Sequence, residues 1–584
     1  MGQLKYLHLN MYRYFLFGLL FVLLGIATIY LTKTRQNYAT DQATIRAGKA
    51  LFSKYCSSCH GLQEDGFGPP LGGITAVFSQ QDLVNFISNP SEAIAAGDQR
   101  SIVLQRRYRQ VMPAFNWMDS KDMLSILAFI DRESAIHQIA PLVVSQEVSD
   151  ISLSGRLVDP VARSELAVEL AEIVKIPQLE GSSPDLGIVT LRAHPLANGI
   201  LYAGDQDGII YRIEGNSANV FLDLRDEIPD FQSGPGIATG LGSFDFHPDY
   251  LNNGLLYILY AETYHGQKAD HSVTDTVQSA AQWILSEWKV NDVSARQFEG
   301  SHRELLRLHA PTFGHGAQDL QFNHGLAQDD PDYGLLYFGY GDGGCNNIGR
   351  PDMCHRLTSF LGTIMRIDPL GSNSNNGKYG IPSDNPFVNE KDPATVKEIY
   401  AFGFRNPHRF TWDVSDIHLM IATDIGESNI EEINFIEKGG DYGWPRREGN
   451  YGILTTKDKK TVYPISDSDL QLYKKPFAQY DHEDGHAVSG GFVYDGDILA
   501  LKNKYIFGDI VTGNLFYLDL SNEAADSTIH QLGIIENDRP TSLSEMSGAT
   551  RMHLRISYDR YKKEMYIITK CDGTIRKIVQ AYER

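Results

Sequence analysis

Basic residues are in deficit. The 584-residue chain carries 52 Lys and Arg against 73 Asp and Glu, a formal net charge of −21. Phosphate backbones require a basic footprint, so nucleic-acid binding is excluded as a function class. Cysteine is scarce as well, with Cys56, Cys59, Cys345, Cys354 and Cys571 the complete set. Runs long enough to cross a bilayer are nearly absent. The one that stands out is residues 14–31, YFLFGLLFVLLGIATIYL, which predicts a transmembrane helix. No small-x-small cleavage site follows it, which favours an uncleaved anchor over a removed signal peptide. What is present is globular, with 42% hydrophobic residues and 53 glycines. A chain of this length exceeds one ordinary core and predicts more than one domain.

Two of the five cysteines stand in CSSCH, residues 56–60. This motif points to covalent haem c: the thiols of Cys56 and Cys59 form thioethers, and His60 becomes an axial ligand. Such haem is attached outside the cytoplasm. With the anchor, this predicts a protein of the bacterial inner membrane whose globular parts face the periplasm. In that oxidising setting Cys345 and Cys354, flanking the short loop GCNNIGRPDMCH, form a reasonable disulfide pair. Cys571 sits in an apolar strand pattern and reads as a buried bystander.

Residues 43–134 have helical periodicity. IRAGKALFSKYC places Ile45, Gly48, Phe52 and Tyr55 on one face. The segment resembles class I cytochromes c in GFGPPLGG, in VMPAF and in the closing helix SKDMLSILAFI. The resemblance implies a small all-α domain, a Pro69 carbonyl that orients His60, and Met112 as second iron ligand. Residues 135–184 read as a linker with a short helix over 163–174.

From residue 185 to 584 a different pattern recurs about six times: apolar strand, turn, Tyr/Leu/Ile-rich strand, then Gly/Asp, as in VTLRAHPLANGILYAGDQDGIIYRI. Short strands repeated in this way predict an all-β six-bladed propeller. LLYFGYGDGG, GTIMRIDP with SDNPF, EIYAFGFRNPHRFTWD and EEINFIEKGGDYGWP resemble the glucose/sorbosone dehydrogenase family. That resemblance implies pyrroloquinoline quinone (PQQ) and calcium as cofactors. It implies His315 and Arg405 in catalysis, Arg405, Asn406 and Arg555 on the quinone, and Gly426 and Glu427 at the calcium. The chain departs from the family pattern where Ala317 and Gln318 replace Gly-Gly, and where DIVTGN lacks a fifth-blade Lys. An early Gln-bearing segment also reads differently, as ATGLGSFDF.

The expected function is a membrane-anchored quinohaemoprotein dehydrogenase. It oxidises a sugar or related alcohol at PQQ and passes electrons through its own haem to a respiratory acceptor. The alternative is an electron-transfer cytochrome whose propeller has lost the quinone and serves as a binding surface.

Overall fold

The computed structural model describes residues 38–583 apart from 58–59, 64–67, 97, 99, 102–103, 105–111, 143–155, 177–186, 235–237, 274–278, 347, 414–417, 454–461, 466–470 and 522–525. The anchor expected at residues 14–31 lies outside the described residues. Among those described, no helix is long and apolar enough to cross a membrane. The expected architecture is corrected accordingly to an all-α cytochrome region and a mostly-β propeller that also carries short helices such as Leu543–Ser547, with no membrane-spanning helix among the described residues. The membrane attachment and the inner-membrane, periplasmic placement that rested on the anchor are withdrawn with it.

Among the described residues, the main helices of the first part are α1 (Gln42–Tyr55), α2 (Gln80–Ser88), α3 (Pro90–Ala95) and α4 (Ser120–Ile136). Aspartates start the two long ones. Asp41 accepts from Thr44 N–H and Asp119 from Lys121 N–H, both at 2.9 Å, satisfying amides that a helix N-terminus leaves open. α1 buries Ile45, Gly48 and Phe52, the face its periodicity predicts. Gly48 permits the α1–α4 crossing, because a Cβ there would lie 1.9 Å from the Ser125 carbonyl. Phe52 and Phe129 meet beside it at 5.3 Å.

Among the described residues the second part holds four four-stranded sheets, a nine-stranded sheet in which the last two blades are joined, and a small three-stranded sheet. The innermost strands of blades 1 to 5 are Ile188–Ala193, Leu241–Phe246, Ala317–Phe322, Pro407–Trp412 and Phe492–Val493. Blade 6 is Leu554–Asp559, Glu564–Thr569 and Thr574–Glu583, with Leu166–Lys175 as its outer strand. That last strand replaces the short helix expected over 163–174. LAVELAEIVK is rich in helix formers, but propensity is a weak prior when two sheet edges need a partner. The strand runs antiparallel to Thr574–Glu583, with Leu166 opposite Glu583 and Lys175 opposite Thr574. It also pairs in parallel with His530–Glu536 of blade 5. A segment from the start of the propeller thus closes the ring. Each connection from an outer strand to the next innermost strand opens on one face, as do the turns between second and third strands. The loops on that face hold the site.

Candidate functional site

In the cytochrome, His60 is 8% exposed. Its Nδ1 lies 2.8 Å from the Pro69 carbonyl, the contact the resemblance implied. A carbonyl only accepts, so Nδ1 carries the proton and Nε2 keeps its lone pair for iron. Burial pushes this imidazole below its ordinary pKa against the opposing pull of the Pro69 bond, which favours the neutral, ligating form. Cys56 is half-buried, Cys59 lies outside the described residues, and Met112 packs on the core that contains Phe52 and Met123. These donors fit a haem. Replacing both Cys56 and Cys59 by Ala should abolish peroxidase staining on a denaturing gel. Met112→Ala should remove the near-infrared band of Met-ligated ferric haem and lower its potential. Stained protein from the double variant would place the attachment elsewhere.

The propeller site is built on blades 3 and 4. His315 precedes the innermost strand of blade 3, with φ at +44°, a left-handed conformation uncommon outside glycine and frequent at functional sites. Its Nδ1 lies 2.6 Å from Asp342 Oδ1. Asp342 follows the second strand of the same blade and is 1% exposed. Its other oxygen accepts from Trp444 Nε1 at 2.9 Å, and Gly344 N–H donates to Oδ1 at 2.8 Å. Burial raises the Asp342 pKa. The charge and hydrogen bond of His315, with Arg405 nearby, outweigh burial and hold it below the usual carboxylate range. An ionised carboxylate only accepts, so His315 carries its proton on Nδ1 and presents Nε2. Gly341 makes the approach possible, since a Cβ there would meet the His315 carbonyl at 2.5 Å and the Asn406 side-chain oxygen at 3.0 Å.

Arg405 and Asn406 precede the innermost strand of blade 4, and both backbone amides donate to Asp424, at 3.0 and 2.6 Å. Arg405 Nε donates to Glu427 Oε2 at 2.9 Å, with both side chains buried, and its guanidinium lies 5.7 Å from the Trp444 ring centre. Glu427 is buried, and its Oε2 accepts from Arg405. Gly426 stands beside it in the turn after Met420–Asp424. The Asn406 side-chain oxygen is buried with no hydrogen-bond partner, so an acceptor is held in reserve at the site.

Arg555 does not join this group directly. It lines a narrow axial cavity with Arg192, Gln321, Arg409 and Phe492. Burial, with Arg409 and Arg551 close by, pushes its pKa well down, and its Nε has no partner. Arg409, Arg555 and Lys570 all bear on the buried His408 and, after burial itself, drive its pKa down. A polyanion would relieve this accumulation of positive charge, so the donor set fits a tricarboxylate such as PQQ.

Sequence reasoning missed Asp342 and Trp444, although LLYFGYGDGG and GGDYGWP were both singled out. It also missed Lys570. The DIVTGN turn of blade 5 has no lysine, but Lys570 of blade 6 is 1% exposed and donates to Gln206 Oε1 at 2.8 Å. Gln206 follows the second strand of blade 1, so the site-bearing face does hold a buried Lys and Gln, supplied by different blades. Their signal was the repeated strand–Asp/Gly pattern, which reads as turns alone.

Comparison with known proteins agrees with this architecture. The Cytochrome c family profile matches residues 45–133, and the Glucose / Sorbosone dehydrogenase profile matches residues 224–539, more than half of the chain. HIPL1 protein of Arabidopsis thaliana is 23% identical over 449 residues, 66% of this chain and 60% of that protein. Quinoprotein glucose dehydrogenase B of Acinetobacter calcoaceticus is 27% identical over 256 residues, 41% of this chain and 47% of that protein. The chain thus spans about half to three fifths of the length of these curated relatives. Among solved structures, the PQQ-bound aldose sugar dehydrogenase of Streptomyces coelicolor aligns over 73% of this chain and all of that one, at 18% identity and a TM-score of 0.46. Behind its N-terminal cytochrome c domain, the chain belongs to the Glucose / Sorbosone dehydrogenase family.

Proposed function

We propose that this chain is a quinohaemoprotein dehydrogenase that oxidises a sugar or related alcohol at PQQ and hands the electrons to its own haem c. The observation that carries the reading is the His315–Asp342 pair beside Arg405 and Asn406. Alcohol oxidation needs a base for the hydroxyl proton. His315 Nε2 takes that proton, and Asp342 stabilises the imidazolium that results while fixing the ring through Nδ1. Trp444 and the Gly344 amide keep Asp342 in place. When bound, the quinone supplies an electrophilic carbonyl that accepts the hydride. Arg405 and Asn406 orient it, and the Arg555 and Lys570 region neutralises its carboxylates. Calcium is the finer part of this reading. Its protein donors would be the backbone carbonyls of Gly426 and Glu427.

The haem domain adjoins the same face. Lys54, on the last turn of α1 before CSSCH, packs against Gly234 in the loop that leads into blade 2, its Cγ 3.5 Å from where a Cβ would sit. A cytochrome on the same chain makes electron transfer effectively intramolecular. The test is calorimetric titration of the full chain with PQQ, with and without calcium, followed by a sugar panel read at the haem absorbance. Binding together with sugar-dependent haem reduction is expected. No binding and no reduction would leave an electron-transfer cytochrome with a non-catalytic propeller.

A further inference from the structure

Two thiols lie beneath the His315–Asp342 pair and have no part in the chemistry above. Cys345 is 0% and Cys354 1% exposed. Their sulfurs and an Asp342 oxygen all lie within 4.8 Å of one another. The segment 342–354 doubles back to bring them together. Cys345 N–H donates to the Asp342 carbonyl at 3.2 Å, and Arg350 N–H to the Cys345 carbonyl at 2.8 Å. Cys354 Sγ lies 3.4 Å from the Pro351 carbonyl.

A thiophilic metal is the first alternative to weigh. Structural zinc closes with four protein ligands, whereas three such groups meet here among the described residues. One of them, Asp342, already receives His315, Gly344 and Trp444, which leaves one lone pair. The sulfurs, by contrast, already lie within 4.8 Å of each other. The loop that covers them is at the surface, with Ile348 41% exposed and the Asp352 side chain 57% exposed. Access therefore needs only local opening.

We propose that Cys345 and Cys354 are a redox-active pair whose oxidation state sets the position of Asp342 and so tunes His315. The oxidant is a disulfide of the glutathione or disulfide-oxidoreductase class. One Cys thiolate attacks it and releases the first external thiol. The second Cys then displaces the other external sulfur. Two S–H bonds and the external S–S bond break, and one S–S bond forms within the chain. The two electrons and two protons leave on the two released thiols. An S–S bond of about 2.05 Å draws the sulfurs inward, and Cys345 is tied to Asp342 through the shared turn. The redox step itself stands independently of the dehydrogenase reading; the effect on turnover rests on it.

The test equilibrates the full-length holoprotein in glutathione buffers of graded ratio, quenches with acid, alkylates and weighs the intact chain. Two thiols should disappear together across one transition, and Cys345→Ser and Cys354→Ala should each abolish it. Amide exchange in the 342–354 peptide should slow in the oxidised form. Substrate-driven haem reduction should differ between forms by roughly tenfold, the scale of a modest misplacement of a catalytic group. An unchanged mass across the series overturns the proposal, and so does zinc retained stoichiometrically until a chelator removes it. A clean thiol transition with unaltered exchange around Asp342 overturns the coupling. If neither form reduces haem with any sugar, the dehydrogenase reading fails while the mass and exchange results still decide the pair.

Discussion

His315→Ala should cut substrate-driven haem reduction by roughly a hundredfold or more, the scale of losing general-base catalysis, with quinone affinity nearly intact. The geometry explains why the effect is selective. His315 contacts Asp342 through Nδ1 and the Gly341 region through its backbone, whereas Arg405 and Asn406 are held by Asp424 and Glu427 from blade 4. Removing the imidazole leaves that second framework standing. Asp342→Asn should also be slow, because an amide neither stabilises an imidazolium nor fixes the Nδ1–H tautomer. Its expected loss is roughly a hundredfold to ten-thousandfold. Added imidazole should restore part of the rate to His315→Ala and none to Asp342→Asn. Stopped-flow haem reduction measures all three. A His315→Ala protein that keeps its rate would remove His315 from the chemistry.

The elements legible in the sequence are those whose cause is local. CSSCH holds two thiols and an imidazole on one turn, and Ile45, Gly48 and Phe52 recur at helical spacing, so the haem side and the α1 face could be read directly. Arg405 and Asn406 came instead from the match of GFRNPH to the family pattern, not from a local cause. What stayed hidden depends on partners distant along the chain. Leu166–Lys175 is a strand because two blade edges flank it, and its Leu, Ala and Glu content argues locally for helix. The pairing of Glu427 with Arg405 appears only when blade 4 folds. Lys570 sits where a turn pattern recurs, and only ring closure sets it against Gln206 from the first blade. Asp342 reads as part of a GDGG turn, and its role appears only when His315 arrives from 27 residues upstream.

Arg405→Ala should fail twice, in stability and in cofactor retention, and the two failures separate in a double variant. Arg405 is 2% exposed and its Nε pairs with a Glu427 that is 6% exposed. Burial alone would lower the Arg405 pKa, but Glu427 and Asp342 raise it above the ordinary value, so the guanidinium stays charged. Removing one partner of a buried ion pair costs about 3–5 kcal/mol, because the other charge is left uncompensated. Arg405→Ala alone should therefore lower Tm sharply. Adding Glu427→Gln removes the stranded charge and should return much of that loss. It does not return the guanidinium that the proposed function places on the quinone. Affinity for PQQ should stay down by roughly 10- to 100-fold in the double variant, the scale of one charge-assisted hydrogen bond. Thermal unfolding and calorimetry on the same preparations give both quantities. If PQQ affinity recovers in step with Tm, Arg405 serves the fold through Glu427, and recognition of the anion falls to Asn406 and the Arg555 and Lys570 cluster.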